Sequence, residues 1–204
     1  MIFTGTCAEY PCDGHSLTSA LPMTTTAVPL ERGRIDARAL RTALGLFATG
    51  VAVVTTRSRS GKLAGLTANS FAPVSLDPPL VLWSLSRDSP SMACFTDADH
   101  FAVNVLGVGQ RYLSRHFSSP QHDKFSGIAH APGLGGCPLL NGALAHFECA
   151  IETTIPGGDH AIFLGRVLRA AYREGEPLIF ATGGYWRPTP IALSTVSQGG
   201  TQAE

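Results

Sequence analysis

The run Gly65-Leu66-Thr67-Ala68-Asn69-Ser70-Phe71 sets hydroxyl and amide side chains between apolar neighbours, just before Val74-Ser75-Leu76-Asp77-Pro78-Pro79-Leu80. Thr67, Asn69 and Ser70 at the bend of a strand pair would combine backbone N–H groups with side-chain donors and acceptors on one rim. Such a rim suits a flat heterocycle whose edge alternates donors and acceptors. On spacing alone, the same residues also read as an Asn-Ser turn between two strands. A second group is Gly157-Gly158-Asp159-His160, where glycines allow backbone to approach a ligand closely and His160 stands at the start of a strand.

Other chemistries fail on spacing. Gly107-Val108-Gly109 follows a strand and opens a helix, but Tyr112 stands where a dinucleotide fingerprint needs its third glycine, and no phosphate-loop lysine motif exists. His116, His122, His130, Cys137 and His160 crowd the second half without the spacing of any zinc motif, so no metal is expected. No GxSxG elbow marks a nucleophilic serine.

The elements that must position these residues are mostly strands. Ala37, Leu40, Leu44 and Phe47 follow helical spacing, with Asp36 as the cap and Gly50 as the stop. Strand-like runs follow: Val51 to Thr56, a turn at Ser60-Gly61, Leu63 to Asn69, Ser70 to Leu76, the break at Asp77-Pro78-Pro79, and Leu80 to Ser86. Ser89-Pro90 predicts the cap and first residue of a short helix through Phe95. A strand over Phe101 to Leu106 and a helix over about Gln110 to Phe117 come next. Residues 118 to 142 read as a loop long enough to be functional or to cover something. In Ala143 to Thr153, Ala145, Phe147, Cys149 and Ile151 fall on one face, with His146, Glu148 and Glu152 on a watered one. His160 to Arg173 and Pro177 to Ala181 complete the strands, joined at Glu174-Gly175-Glu176. The count predicts a mainly antiparallel β-barrel with a few short helices.

Composition narrows the partners. The 204 residues are 44% hydrophobic and 15% charged, enough apolar material for one sizeable core. Fifteen basic and fifteen acidic residues cancel, which argues against nucleic acid or an anionic membrane as partner. Apolar runs such as Pro79 to Trp83 and Ala161 to Leu164 are far too short to span a membrane. Five cysteines, an odd number without close pairs, fit a reducing cytoplasm, and Glu9 and Asp13 break up the start where a signal peptide would be apolar. Residues 1–33 and 194–204 read as tails around a domain over 34–193, and initiation at Met23 is an expectation that the native protein's intact mass tests.

An ordered series of segments resembles the short-chain flavin reductase family: Phe47-Ala48-Thr49-Gly50-Val51 leading into Val53-Val54-Thr55-Thr56, then GLTANSF, VSLDPPL, FAVNVL, DKFSG, FEC, GGDH with Gly165 after it, and PLIFATGGY. The resemblance covers about residues 36 to 190. It implies a homodimer of split β-barrels that binds FMN or FAD non-covalently, oxidises NADH or NADPH and supplies reduced flavin to a partner monooxygenase. It further implies that Thr67, Ala68, Asn69 and Ser70 lie against the flavin ring, that Ser84, Ser86 and Ser89 hold the ribityl phosphate, Ser89 doing so as a helix cap, that His160 stands beside nicotinamide and flavin, and that Tyr185 closes the pocket. Phe180 stands where many relatives carry Tyr. Arg166, Arg169 and Arg173 either meet the 2′-phosphate of NADPH or form a solvated strand face. Two other functions fit the same resemblance: a flavoprotein with tightly held FMN reducing a cobalamin or ferric complex, and a flavin-binding module without nicotinamide access.

Overall fold

Strand β4 (Ala52–Arg57) is buried on both faces, because its alternating side chains feed two cores: Ala52 and Val54 one, Val53 the other. The computed structural model describes residues 30–31, 34–121 and 123–190. The expected tails, apart from Leu30–Glu31, lie outside the described residues, as do Met23, His122, Cys7 and Cys12. In chain order the elements are β1 (Leu30–Glu31), β2 (Arg34–Ile35), α1 (Ala37–Leu44), β3 (Thr49–Gly50), β4, β5 (Leu63–Ala68), β6 (Ala72–Leu76) and β7 (Pro79–Ser86). Then come α2 (Met92–Thr96), β8 (His100–Val105), α3 (Arg111–Ser118), β9 (His130–Pro132), β10 (Pro138–Leu140), β11 (Ala145–Gly157), β12 (His160–Tyr172), β13 (Ile179–Ala181) and β14 (Gly184–Trp186).

Seven strands form one antiparallel sheet in the order β5-β4-β8-β11-β12-β7-β6. One hydrophobic cluster takes side chains from β5 and from β7, near opposite ends of that order, together with Trp83, Phe95, Phe101 and Phe163, so the sheet curls around a single core. Trp83 stacks on Phe163 with ring centroids 4.8 Å apart and meets Phe95 edge-on at the same distance. The two edge strands, β5 and β6, are joined by Asn69-Ser70-Phe71 but do not pair, which makes the barrel split. On the outer side of β4 and β5, α3 packs through Leu113 and Phe117 into the second cluster with Val51, Val53, Leu106, Leu140 and Leu178. Gly65 permits that approach: a Cβ there would lie 2.8 Å from Phe117 and 3.0 Å from Phe125.

Several boundaries move. Helix α1 is capped by Asp36 as expected, its carboxylate accepting from Ala39 N–H, but stops at Gly45 rather than Gly50, which belongs to β3. Cap position of α2 falls to Ser91 instead of Ser89, which lies two residues earlier and whose hydroxyl accepts from Ser91 N–H at 3.3 Å. The expected loop 118–142 contains the β9–β10 hairpin, held by a buried polar group: Thr55 Oγ1 donates to Pro138 O at 2.6 Å and Leu140 N–H to Asn104 Oδ1 at 2.8 Å. Glu148 does not face water. The β11–β12 register shifts between Glu148 and Cys149, and the buried carboxylate takes Leu134 N–H at 2.5 Å and Arg169 Nη2 at 2.7 Å. Strand β14, absent from the sequence reading, follows a tight turn with Thr182 and Gly183 at positive φ.

Candidate active site

The gap between the sheet edges opens into a cleft of about 1140 Å³. Every residue from Lys62 to Ser70 lines it. One face of a strand would contribute only alternate residues, so an unbroken run means that β5 presents its edge, with backbone N–H and C=O groups that have no ladder partner beyond β4. Polar backbone groups at regular spacing are what the edge of a heterocycle can match.

Thr67, Ala68, Asn69 and Ser70 therefore converge with Ser84, Ser86, Ser89 and His160 in one cleft. Their hydroxyls are not equally free. Thr67 Oγ1 donates its proton to the Ser114 carbonyl in α3 at 2.6 Å. Ser70 Oγ accepts from Ser84 N–H and donates to Ser84 O, so it ties the loop to β7 and has little left for a ligand. Tyr185 is not among the lining residues: its hydroxyl lies 2.8 Å from Ser114 Oγ, behind the β5 wall, and its ring meets Phe180 edge-on.

His160 reaches the cleft through the β11–β12 hairpin. Gly157 pairs with His160, leaving Gly158-Asp159 as a two-residue turn, and Gly158 supplies the positive φ of 69° such a turn needs. On its other side His160 pairs in register with Ser86 of β7. Asp159 Oδ1 lies 2.7 Å from His160 Nδ1, and this hydrogen bond holds the Asp159 carboxyl below the usual carboxylate range. Nδ1 is thus committed to the Asp159 carboxylate, which tethers the ring to the hairpin turn.

The opposite wall comes from the segment after α3, where Phe117, Ser118–Gln121 and Asp123–Phe125 line the cleft. Lys124 Nζ donates to Phe117 O at 2.7 Å, and burial lowers the ammonium from its ordinary value. Asp123 accepts the Phe125 and Ser126 N–H groups on its carboxylate, and Lys62 and Lys124 line the cleft with it. Sequence reasoning noticed DKFSG only as part of a family pattern; no periodicity places Lys124 opposite β5. Arg166 pairs with Glu152 at 2.7 Å and Arg169 with Glu148, while Arg173 donates to Ala143 and Gly142 carbonyls. Of the expected histidines, His116 and His130 spend a ring nitrogen on the Lys124 and Ile128 carbonyls, and no metal-holding group of three occurs among the described residues.

The chain is 44% identical over 155 residues to the FMN reductase (NADH) SmoA of Agrobacterium fabrum, covering 76% of this chain and 88% of that one. It is 42% identical over 152 residues to the reductase subunit HsaB of a Rhodococcus jostii flavin-dependent monooxygenase, covering 74% and 77%. A Streptomyces globisporus NADH:FAD oxidoreductase solved with NAD and FAD fragments superposes with a TM-score of 0.73 at 42% identity, over 77% of this chain and 95% of that one. Relatives differ in length: the chain spans 49% of a Rhizobium meliloti relative to which it is 44% identical. The model of the flavin reductase like domain matches residues 44–189, and the chain belongs to that family.

Proposed function

We propose that this chain is an NAD(P)H-dependent flavin reductase that reduces FMN or FAD in the β5 cleft and delivers the reduced flavin to a separate monooxygenase. The observation that carries this reading is the convergence of the unbroken run Lys62–Ser70 with Ser84, Ser86, Ser89 and His160 on one cleft. The residues fit a flavin: an unpaired strand edge for the heterocycle, serine hydroxyls and two lysines for an anionic tail. The nicotinamide and the flavin carry the redox chemistry between themselves. The chain aligns them and keeps water out: the β5 edge and Asn69 orient the ring, His160 fixed by Asp159 packs beside the second ring, and Phe117 and Phe125 close the wall. Tyr185 stands behind this wall, its hydroxyl 2.8 Å from Ser114 Oγ.

The same reading takes the domain as about residues 34–193 and the molecule as a cytoplasmic homodimer. Residues 151–157 of β11 extend beyond its pairing with β8, and 167–172 of β12 beyond its pairing with β7. Leu168 and Tyr172, four residues apart on the β12 extension, are 48% and 90% exposed, apolar side chains that a second copy would cover. Cys94, Cys137 and Cys149 are free thiols, in keeping with a reducing compartment. No helix among the described residues is long and apolar enough to cross a membrane.

One assay tests the function. Mixing the purified protein with NADH and excess FMN or FAD should consume NADH rapidly and yield free reduced flavin. Consumption only with a cobalamin or ferric complex present, or none at all, would overturn the reading.

A further inference from the structure

Thr67 has one hydroxyl proton, and the structure commits it. Oγ1 donates to the Ser114 carbonyl at 2.6 Å, while Thr67 also lines the cleft. A hydroxyl whose proton is taken offers a ligand only lone pairs. Ser114 is itself fixed from the other side, its Oγ 2.8 Å from Tyr185 Oη on β14. Helix α3 is thus held between a wall residue of the cleft and an aromatic hydroxyl that never enters it.

We propose that Thr67 reads the bound flavin as an acceptor only, taking its N3–H, and that Tyr185 is a positioning residue that acts on this contact through Ser114. The inference rests on the flavin reading of the cleft and deepens it. Oxidised isoalloxazine carries a single ring N–H, at N3; its N1, N5, O2 and O4 present lone pairs. Set against Thr67 Oγ1, any of those four would place lone pair against lone pair, whereas N3–H completes a hydrogen bond. The Tyr185 hydroxyl fixes how far the Ser114 carbonyl stands from β5, and so which way the Thr67 lone pairs point. Loosening that hydroxyl should weaken flavin binding without touching the ligand.

The test is binding of oxidised FMN and of 3-methyl-FMN, followed by flavin fluorescence, with thermal melts alongside. In the wild type, 3-methylation should weaken binding about 5- to 30-fold, the scale of one lost hydrogen bond. Thr67→Ala should lose FMN affinity by a similar factor and then lose less than twofold more on 3-methylation, since the methyl group enters the vacated space. Thr67→Ser keeps the hydroxyl and should bind FMN within about twofold of wild type. Tyr185→Phe should weaken FMN binding about two- to fivefold with an unshifted melt, and should do nothing further in the Thr67→Ala background. Equal 3-methyl penalties in wild type and Thr67→Ala would overturn the N3 assignment. Additive effects of the Tyr185 and Thr67 substitutions, or a Tyr185→Phe variant that only lowers the melting temperature, would overturn the positioning role. Should the wild type bind FAD but not FMN, the same series is run with FAD and 3-methyl-FAD; should it bind neither FMN nor FAD, the flavin reading itself fails, an outcome distinct from both.

Discussion

Ser70 and Ser84 share two hydrogen bonds, Ser84 N–H to Ser70 Oγ at 3.0 Å and Ser70 Oγ to Ser84 O at 3.2 Å. They stand in the register of the β6–β7 ladder, two residues beyond the Ala72–Leu82 pair, so a side chain continues what the backbone of the linker cannot. The hydroxyl thereby pins the direct link between the two sheet edges at the mouth of the cleft.

Replacing Ser70 by Ala removes both bonds and strands a backbone N–H and carbonyl that are partly buried. Urea melts should show a loss of about 1 to 3 kcal/mol. A variant as stable as wild type would mean that solvent serves Ser84 equally well.

Asn69 is the exposed polar residue of the same bridge and keeps its side chain free among the described contacts. Asn69→Leu nearly conserves volume while leaving the ring's polar edge unpaired, so flavin affinity should fall about 5- to 150-fold by titration. Unchanged affinity in a folded variant would place the ring elsewhere.

The imidazole of His160 is 43% exposed and its partner carboxylate 91%, so neither is built into the core. His160→Ala should keep the melting temperature and flavin affinity while slowing reduction of pre-bound flavin by NADH roughly 10- to 100-fold in stopped flow, the scale of misaligned reactants. A destabilised variant with a normal reduction rate would make His160 a scaffold residue.

Burial, with Cys137 and Glu148 nearby, pushes the Cys149 thiol up to about 12. In the unfolded chain it titrates at about 8.5. Above that pH the native state holds a proton that the unfolded state has released, so stability falls as pH rises. The contribution is about 1.4 kcal/mol per pH unit between the two values. Denaturant melts across this range should give Cys149→Ala a flatter alkaline limb than the wild type, and parallel limbs would contradict the burial.

Gly165 lies in β12 directly over Phe101: a Cβ there would sit 2.3 Å from Phe101 Cζ and 3.0 Å from Cys149 Cβ. Gly165→Ala should cost about 1 to 3 kcal/mol in stability through forced movement of a fully buried ring. A neutral melt would show that Phe101 can swing away.

Strands were legible where β-forming runs are bounded by turn residues, as in β4, β5 and β7. The site was legible in part because Thr67 to Ser70 are contiguous, and contiguous residues on a sheet edge share one environment. What failed to show were features set by partners distant in sequence. Glu148 alternates as a water-facing residue, yet a bulge and the Leu134 and Arg169 groups bury it. Tyr185 sits beside glycines in a segment typical of a site, but the short β13–β14 turn sends its hydroxyl to α3. Ser70 has the composition of a ligand-binding residue and spends both functions of its hydroxyl on β7. Hydrogen-bond commitment of this kind is a tertiary property that residue type alone does not encode.

The free edge of β5 carries a second meaning. A row of unpaired backbone donors and acceptors is the surface on which a foreign strand adds, and exposed edges of this sort seed assembly of chains into aggregates. Here the row lies inside a cleft walled by Phe117, Lys124 and Phe125, with Lys62 at its start. A flat ligand can slide in where another polypeptide's strand is kept out. The walls that would admit the proposed flavin thus also shield this stretch of backbone from other chains.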